Sequence, residues 1–218
     1  MSIHFNDYSF TRRSPPLTRV TQAHIDARVE SIRSAARSVF ARRGIEAATM
    51  SEIAAEAGLS TGAIYRYFQG KDDLVAATFA EGQERTRRAF EQARANSGSM
   101  LEAMLEAGRL ALVELRDRET VCLDLECALS SARTGGVVRE ETRAFREYAI
   151  GLVEGFVFAA QQAGEIPAGL DPRGLSVLLN ALVLGLGIID LEMGDEFDAE
   201  VMLGLFSRIV LAAGAGAH

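Results

Sequence analysis

Residues Thr49 to Phe68, TMSEIAAEAGLSTGAIYRYF, contain the pattern that decides the fold. Thr49 and Glu52 have the spacing of a capping box, in which each side chain bonds the backbone N–H of the other residue at the start of a helix. Gly58 lies where this helix ends and a positive φ is needed. Ser60 follows at the position that caps a second helix. The stretch therefore predicts two short helices joined by a tight turn.

Apolar residues in the same stretch predict that the two helices cross at close range. Small Ala54 on the first helix, Leu59 at the corner and Ile64 on the second helix point inward at helical spacing. Two helices arranged in this way form a helix-turn-helix unit, whose second helix lies in the major groove of DNA. The outer side of the second helix carries no negative charge and comprises Thr61, Gly62, Tyr65 and Arg66. The alternative is a plain helical hairpin of some other all-α protein.

The composition indicates a folded, all-α protein. Of the 218 residues, 48 % are hydrophobic, none is Trp and only four are Pro. Ala, Leu, Glu and Arg are plentiful, which favours helix over sheet. The length allows a small domain followed by a larger one.

The net charge of −7 is unevenly distributed along the chain. Residues 1–71 contain ten Lys and Arg against six Asp and Glu, whereas residues 72–218 contain thirteen against twenty-four. Because affinity for phosphate depends on local positive charge, a basic head on an acidic body is compatible with DNA binding.

The chain before the helix-turn-helix is expected to be a tail, residues 1–20, followed by a long supporting helix that ends near Arg43. Arg12 and Arg13 in the tail suggest an alternative, an arm that reaches phosphate or the minor groove. Lys71, the only lysine, begins the fourth helix. Its ammonium and the free backbone N–H groups of that helix could hold one DNA phosphate together.

The three-helix region ending in TGAIYRYFQGKDDLV, residues 61–75, resembles the TetR family of bacterial transcriptional regulators. The resemblance is specific over about residues 25–75, and beyond them it concerns only helix number, length and apolarity. It implies a helix-turn-helix DNA-binding domain at 21–70 and a helical effector-binding and dimerisation domain at 71–213, with a tail at 214–218. It also implies base contacts from Thr61, Gly62 and Arg66 and phosphate contacts from Thr49, Tyr65, Tyr67 and Lys71, with Ser60 beside them.

Six further helices are predicted after the head, giving about nine in all. Their expected bounds are Lys71–Ala95, Ser99–Leu115, Thr120–Ala132, Val137–Gln162, Asp171–Met193 and Asp198–Ala212. Ser99 with Glu102 forms a second capping box, and Asp171 before Pro172 caps the penultimate helix.

The last two helices are apolar on too many sides for one domain to cover. Pairing them between two chains in a four-helix bundle would bury this surface, as the family resemblance also implies. A monomer with a thick core is the alternative. The residues expected at this interface are Leu175, Leu178, Leu179, Leu182, Val183, Leu186, Val201, Leu205 and Ile209.

The body is expected to hold a small apolar molecule between its helices. Candidate apolar wall residues are Met100, Met104, Leu105, Cys122, Phe145, Tyr148, Leu152 and Phe156, with Arg109 and Glu126 as polar anchors. Plain core is the alternative for each. No cofactor, metal site or enzyme activity is expected, because the histidines His4, His24 and His218 lie outside the body.

The most apolar stretch, residues 174–189, is interrupted by Asn180 and falls short of the ~20 residues of a membrane span. It is expected to be a helix buried on most sides. With no signal peptide visible, the expected location is the cytoplasm and no membrane contact is expected. Cys122 and Cys127 are predicted to be free, buried and structural, with a redox switch as the alternative.

Together these features predict a TetR-like regulator, a homodimeric repressor that binds a double-stranded palindromic operator and is released by a small hydrophobic effector. The alternative is a helical ligand-carrying or interaction protein whose N-terminal domain no longer binds DNA.

Overall fold

A computed structural model describes residues 22–194, 198, 201–202, 204–205 and 208, and within them the chain is helical with no strand. The predicted all-α class is confirmed, and the predicted bounds of the first eight helices agree within a few residues. Residues 22–194 contain eight helices: α1 (Gln22–Arg43), α2 (Met50–Glu56), α3 (Thr61–Ile64), α4 (Lys71–Asn96), α5 (Met100–Leu115), α6 (Arg118–Arg133), α7 (Gly136–Gln162) and α8 (Pro172–Met193). The expected tails at 1–20 and 214–218 and the interface residue Ile209 lie outside the described residues.

The two central helices begin and end as their capping residues predict. The Thr49 N–H donates to Glu52 Oε2 at 3.0 Å, and the Glu52 N–H donates to Thr49 Oγ1 at 3.2 Å. Gly58 has a φ of +66° at the turn, and Ser60 accepts the Ala63 N–H at 3.2 Å. Regular helix ends at Ile64, earlier than expected, because the N–H groups of Arg66 and Tyr67 donate to carbonyls three residues back instead of four.

The head and the body share one apolar core. Phe40, Ile53 and Ile64 are buried between α1, α2 and α3. Leu123 and Cys127 of α6 belong to the same cluster, together with Val138 of α7. The three-helix head therefore packs directly against α6 and α7 of the body.

The rest of the body packs α4, α5, α7 and α8 around a second core that includes Val157 and Leu179. Phe90 of α4 meets Phe156 of α7 edge to face, with ring centroids 5.1 Å apart. This packing leaves a cavity nearer the head.

One capping prediction and one predicted helix start need correction. The Ser99 hydroxyl accepts the Glu102 N–H, but the Glu102 carboxylate accepts the Gly98 N–H instead of the Ser99 N–H, so the second capping box is only half formed. Helix α6 begins before Thr120 because the Asp117 carboxylate caps its first turn.

The described residues after α8 agree with the predicted start of a ninth helix. Asp198 accepts the N–H groups of Val201 and Met202, and residues 201–202, 204–205 and 208 are helical.

Helix α8 has nearly the predicted bounds but is more exposed than predicted. Its 22 residues are long and apolar enough to cross a membrane, yet only 28 % of its most apolar window is buried inside the chain. Leu178, for example, is 63 % exposed. The expectation of a helix too short for a span and buried on most sides is wrong, because one chain covers only one side of it.

Candidate functional site

The outer surface of α3 and of the two residues that follow it is exposed and free of acidic residues. Tyr65 is 52 % exposed, and Thr61, Gly62 and Arg66 are exposed beside it. A Cβ added at Gly62 would meet no atom within 4 Å, so another molecule has open access to the backbone there. Tyr67 differs, because it is half-buried and packs against the head core. The chain from 57 to 71 carries no Asp or Glu.

Two of the predicted phosphate ligands already have partners inside the chain. The Thr49 hydroxyl donates to Glu52 Oε2 at 2.9 Å, and these bonds from Thr49 lower the pKa of the Glu52 carboxyl. Lys71 is half-buried, and its ammonium donates to the Glu46 carbonyl at 2.8 Å. Because an ammonium has three donors, two remain for an outside acceptor. The bond fixes the position of Lys71 beside α3.

A cavity of about 170 Å³ lies in the body between α4, α5, α6, α7 and α8. Of the predicted wall residues, Met104, Leu105 and Phe145 line it. The predicted residues that lie elsewhere are Met100, Arg109, Cys122, Glu126, Tyr148, Leu152 and Phe156.

Other contacts explain why some of these residues are absent from the wall. Phe156 packs on Phe90, and Arg109 bonds Glu106 on its own helix at 2.6 Å. Helical spacing shows which side of a helix is apolar, but it does not show which neighbour that side meets.

Several wall residues were missed by sequence reasoning. Gly82 is one of them, and a Cβ there would lie 3.3 Å from the Phe145 ring. A glycine in mid-helix was the available signal, since it costs helix stability unless close packing requires it. Charged side chains also line the wall, namely Arg85, Glu114, Asp124 and Arg146. Burial raises the pKa of the Asp124 carboxyl, against the attraction of nearby Arg146.

Helix α6 joins this body to the turn that precedes the helix-turn-helix. Glu126 Oε1 accepts the Ile45 N–H at 2.9 Å. Glu46 Oε1 accepts from Ser130 Oγ at 3.1 Å and from Thr134 Oγ1 at 3.2 Å. We call these three bonds the α6 clasp. They give Glu126 a position between head and body instead of the predicted one in the pocket.

The predicted interface residues divide into two groups. Leu175, Leu179 and Leu186 are buried within the single chain, so they stabilise its own core and offer no surface to a partner. This part of the prediction is wrong. The exposed members are Leu178, Val201 and Leu205, and the half-buried members are Leu182 and Val183.

Among the described residues, no three His, Cys, Asp or Glu side chains lie together as possible metal ligands. Both cysteines are free, and burial raises the pKa of Cys127 to about 12.

Comparison with known proteins shows which proteins this arrangement resembles. Residues 32–78 match the family model described as bacterial regulatory proteins, tetR family. The fatty acid metabolism regulator protein of Bacillus subtilis is 26 % identical over 151 residues, which cover 68 % of this chain and 72 % of that one. The Bacillus subtilis HTH-type transcriptional regulator YfiR, itself uncharacterised, is 32 % identical over 74 residues, and the chain spans only 36 % of its length.

A solved structure supports the fold over nearly the whole chain. FadR from Bacillus subtilis in complex with stearoyl-CoA superposes with a TM-score of 0.68 at 22 % identity, covering 87 % of this chain and 99 % of that one. The helix-turn-helix head and the helical body agree with these matches, and over residues 32–78 the chain is similar to bacterial regulatory proteins of the tetR family.

Proposed function

We propose that the chain is a homodimeric transcriptional repressor that binds a palindromic operator and is released from it by a small hydrophobic effector. The observation that carries this proposal is the exposed, acid-free surface of α3, supported by a buried core and connected through α6 to an internal cavity. The fatty acid metabolism regulator and the stearoyl-CoA complex of FadR support a regulator that responds to a ligand.

In this proposal α3 enters the major groove with its exposed residues. Thr61 and Arg66 contact bases, and Gly62 lets the backbone approach the DNA closely. With only these two side chains to read bases, DNA shape supplies part of the specificity. The remaining contacts are to phosphates, from Thr49, Ser60, Tyr65, Tyr67 and Lys71.

A second copy of the chain covers the exposed apolar side of α8. Leu178 projects from this side, and Val201 and Leu205 are exposed on the segment that follows. A dimer would place two heads on successive major grooves, about 34 Å apart. The effector then acts by favouring a head spacing that cannot span this distance, and its differential affinity for the two states sets the response.

The proposal is tested by operator binding, using DNA from upstream of the protein's own gene and fluorescence anisotropy at several salt concentrations. Lys71→Ala should weaken binding to all sequences and reduce the salt slope by about one unit. Arg66→Ala should relax base preference, at a cost of about 1–3 kcal/mol at the contacted base pair. Arg94→Ala, on the exposed far end of α4, is the charge-matched control and should change neither property.

The interface is tested separately by light scattering. Leu178→Glu should give monomers and weaken operator binding, whereas Leu129→Glu, at an exposed leucine of α6, should leave the dimer intact. If the ligand-free wild-type protein retards no duplex at low salt, the repressor proposal fails, and a helical ligand carrier becomes the better interpretation.

A further inference from the structure

Two charged side chains of the cavity wall, Asp124 of α6 and Arg146 of α7, attract each other but have no ion pair or hydrogen bond with another described residue. Both are half-buried and both line the cavity. They are more than 4.0 Å apart, so they form no ion pair, and neither makes a hydrogen bond to another described residue. Burial of a polar group without a hydrogen bond costs free energy, so these two groups require an explanation.

The other polar side chains deep in the wall are already bonded within the chain. Their bonds run from Arg85 to Glu81, from Thr86 to the Gly82 carbonyl, from Thr120 to Asp117 and from Asn180 to the Ser176 carbonyl. Glu114 also lines the cavity but is exposed to solvent. Asp124 and Arg146 are therefore the half-buried wall residues whose side chains make no hydrogen bond to another described residue, and their charges cancel.

This balance selects against charged ligands. A carboxylate or an ammonium would bring a net charge into a mainly apolar cavity, and an unbalanced buried charge is costly. A hydroxyl or an amide brings no charge. It can donate to the Asp124 carboxylate and accept from the Arg146 guanidinium, so that both side chains gain a partner.

The size of the cavity limits the rest of the ligand. Its volume of about 170 Å³ is close to the roughly 150 Å³ of an engineered protein cavity that holds benzene. It is below the roughly 300–1,000 Å³ that is usual for pockets with drug-sized ligands. A single ring or a chain of about six carbons matches this volume, and a long acyl chain does not.

We propose that the effector is a small uncharged amphiphile, a ring or short chain with one hydroxyl or amide group that lies between Asp124 and Arg146. This inference rests on the proposed function, because it names the ligand class of the same cavity. It makes Asp124 and Arg146 the residues that determine ligand specificity.

The test is calorimetric titration of the full-length protein with four probes of equal carbon number: hexan-1-ol, hexanamide, hexanoate and hexylamine. The wild type should bind the alcohol and the amide at least tenfold more tightly than either ion. Asp124→Asn leaves the cation unbalanced, so it should improve hexanoate relative to hexylamine, and Arg146→Gln should do the reverse. Arg143→Gln, at an exposed position of α7 outside the wall, is the matched control and should preserve the wild-type order.

Preferential binding of hexanoate or hexylamine by the wild type would overturn the inference, and so would the absence of binding by all four probes. An unchanged order of affinities in both wall variants would also overturn it, since a merely structural role would not reverse ionic preference. Operator binding without ligand is measured in parallel. If stearoyl-CoA releases the operator and hexan-1-ol does not, the ligand class is wrong and the repressor proposal stands.

Discussion

Removal of the Glu126 carboxylate tests whether the α6 clasp stabilises the contact between head and body. The Ile45 N–H that it accepts at 2.9 Å belongs to a residue that is only 2 % exposed, so Glu126→Ala leaves a buried donor without a partner. Loss of a hydrogen bond to a charged group costs about 1.5–3 kcal/mol. For a chain of this length each kcal/mol changes Tm by about 2–4 °C, so Tm should fall by about 3–12 °C.

The assay is differential scanning calorimetry, with Glu56→Ala as the matched control. Glu56 bonds Arg42 on the surface of the head at 2.7 Å, and such exposed pairs contribute little to stability. If Glu126→Ala lowers Tm no more than Glu56→Ala does, the structural role assigned to the clasp is refuted.

A second readout separates support of the fold from communication with the cavity. The ratio of operator affinities without and with an effector should move toward one in Glu126→Ala, because α6 then loses one of its three bonds to the turn before α2. An unchanged ratio in a destabilised variant would show that the clasp only holds the fold together.

Three further predictions concern the body. Gly187→Ala should lower the free energy of unfolding in urea by about 1–3 kcal/mol, because the new Cβ would lie 2.9 Å from Leu115. Gly151→Ala has open space around it and should be neutral or stabilising. Equal effects of the two substitutions would refute the packing argument. Burial raises the pKa of Asp124 in the folded state, so ionisation of this carboxyl destabilises the wild-type fold. The loss of stability grows as pH rises above the ordinary carboxyl pKa of about 4. Asp124→Asn should therefore raise Tm at pH 7 and lose this advantage in acid, and an advantage that persists below pH 3 would contradict the assignment. Because burial raises the pKa of Cys127 to about 12, this thiol should resist alkylation at pH 8 until the protein is unfolded; rapid labelling of the native protein, located by peptide mass spectrometry, would refute its burial.

Local signals in the sequence predicted the helices well because capping depends on neighbours in the chain. Thr49 with Glu52, Ser60 and Asp171 each form the predicted bond with a residue three positions further on. The Asp117 cap of α6 was missed because the helix was predicted to begin later, at Thr120.

The cavity and the interface were predicted less well, for a single physical reason. An amphipathic helix in this body contacts a core, a cavity and solvent with adjacent side chains, and all three environments accept the same apolar residues. Leu178 and Leu179 illustrate this, since they are neighbours of the same type, yet Leu178 is 63 % exposed and Leu179 only 8 %. Only the positions of the other helices separate such residues.

Helix α6 contacts the cavity with one face and the turn before α2 with the other. Asp124 lies on the cavity wall and Glu126, two residues later, bonds the turn before the DNA-facing helices. Residues two apart lie on nearly opposite sides of a helix. A ligand that pairs with Asp124 therefore acts on the same rigid segment that holds Ile45. An unpaired half-buried carboxylate reduces stability, and such local costs are expected where a site is built for a ligand. The position of Asp124 opposite the clasp is the feature that would allow cavity occupancy to affect the head.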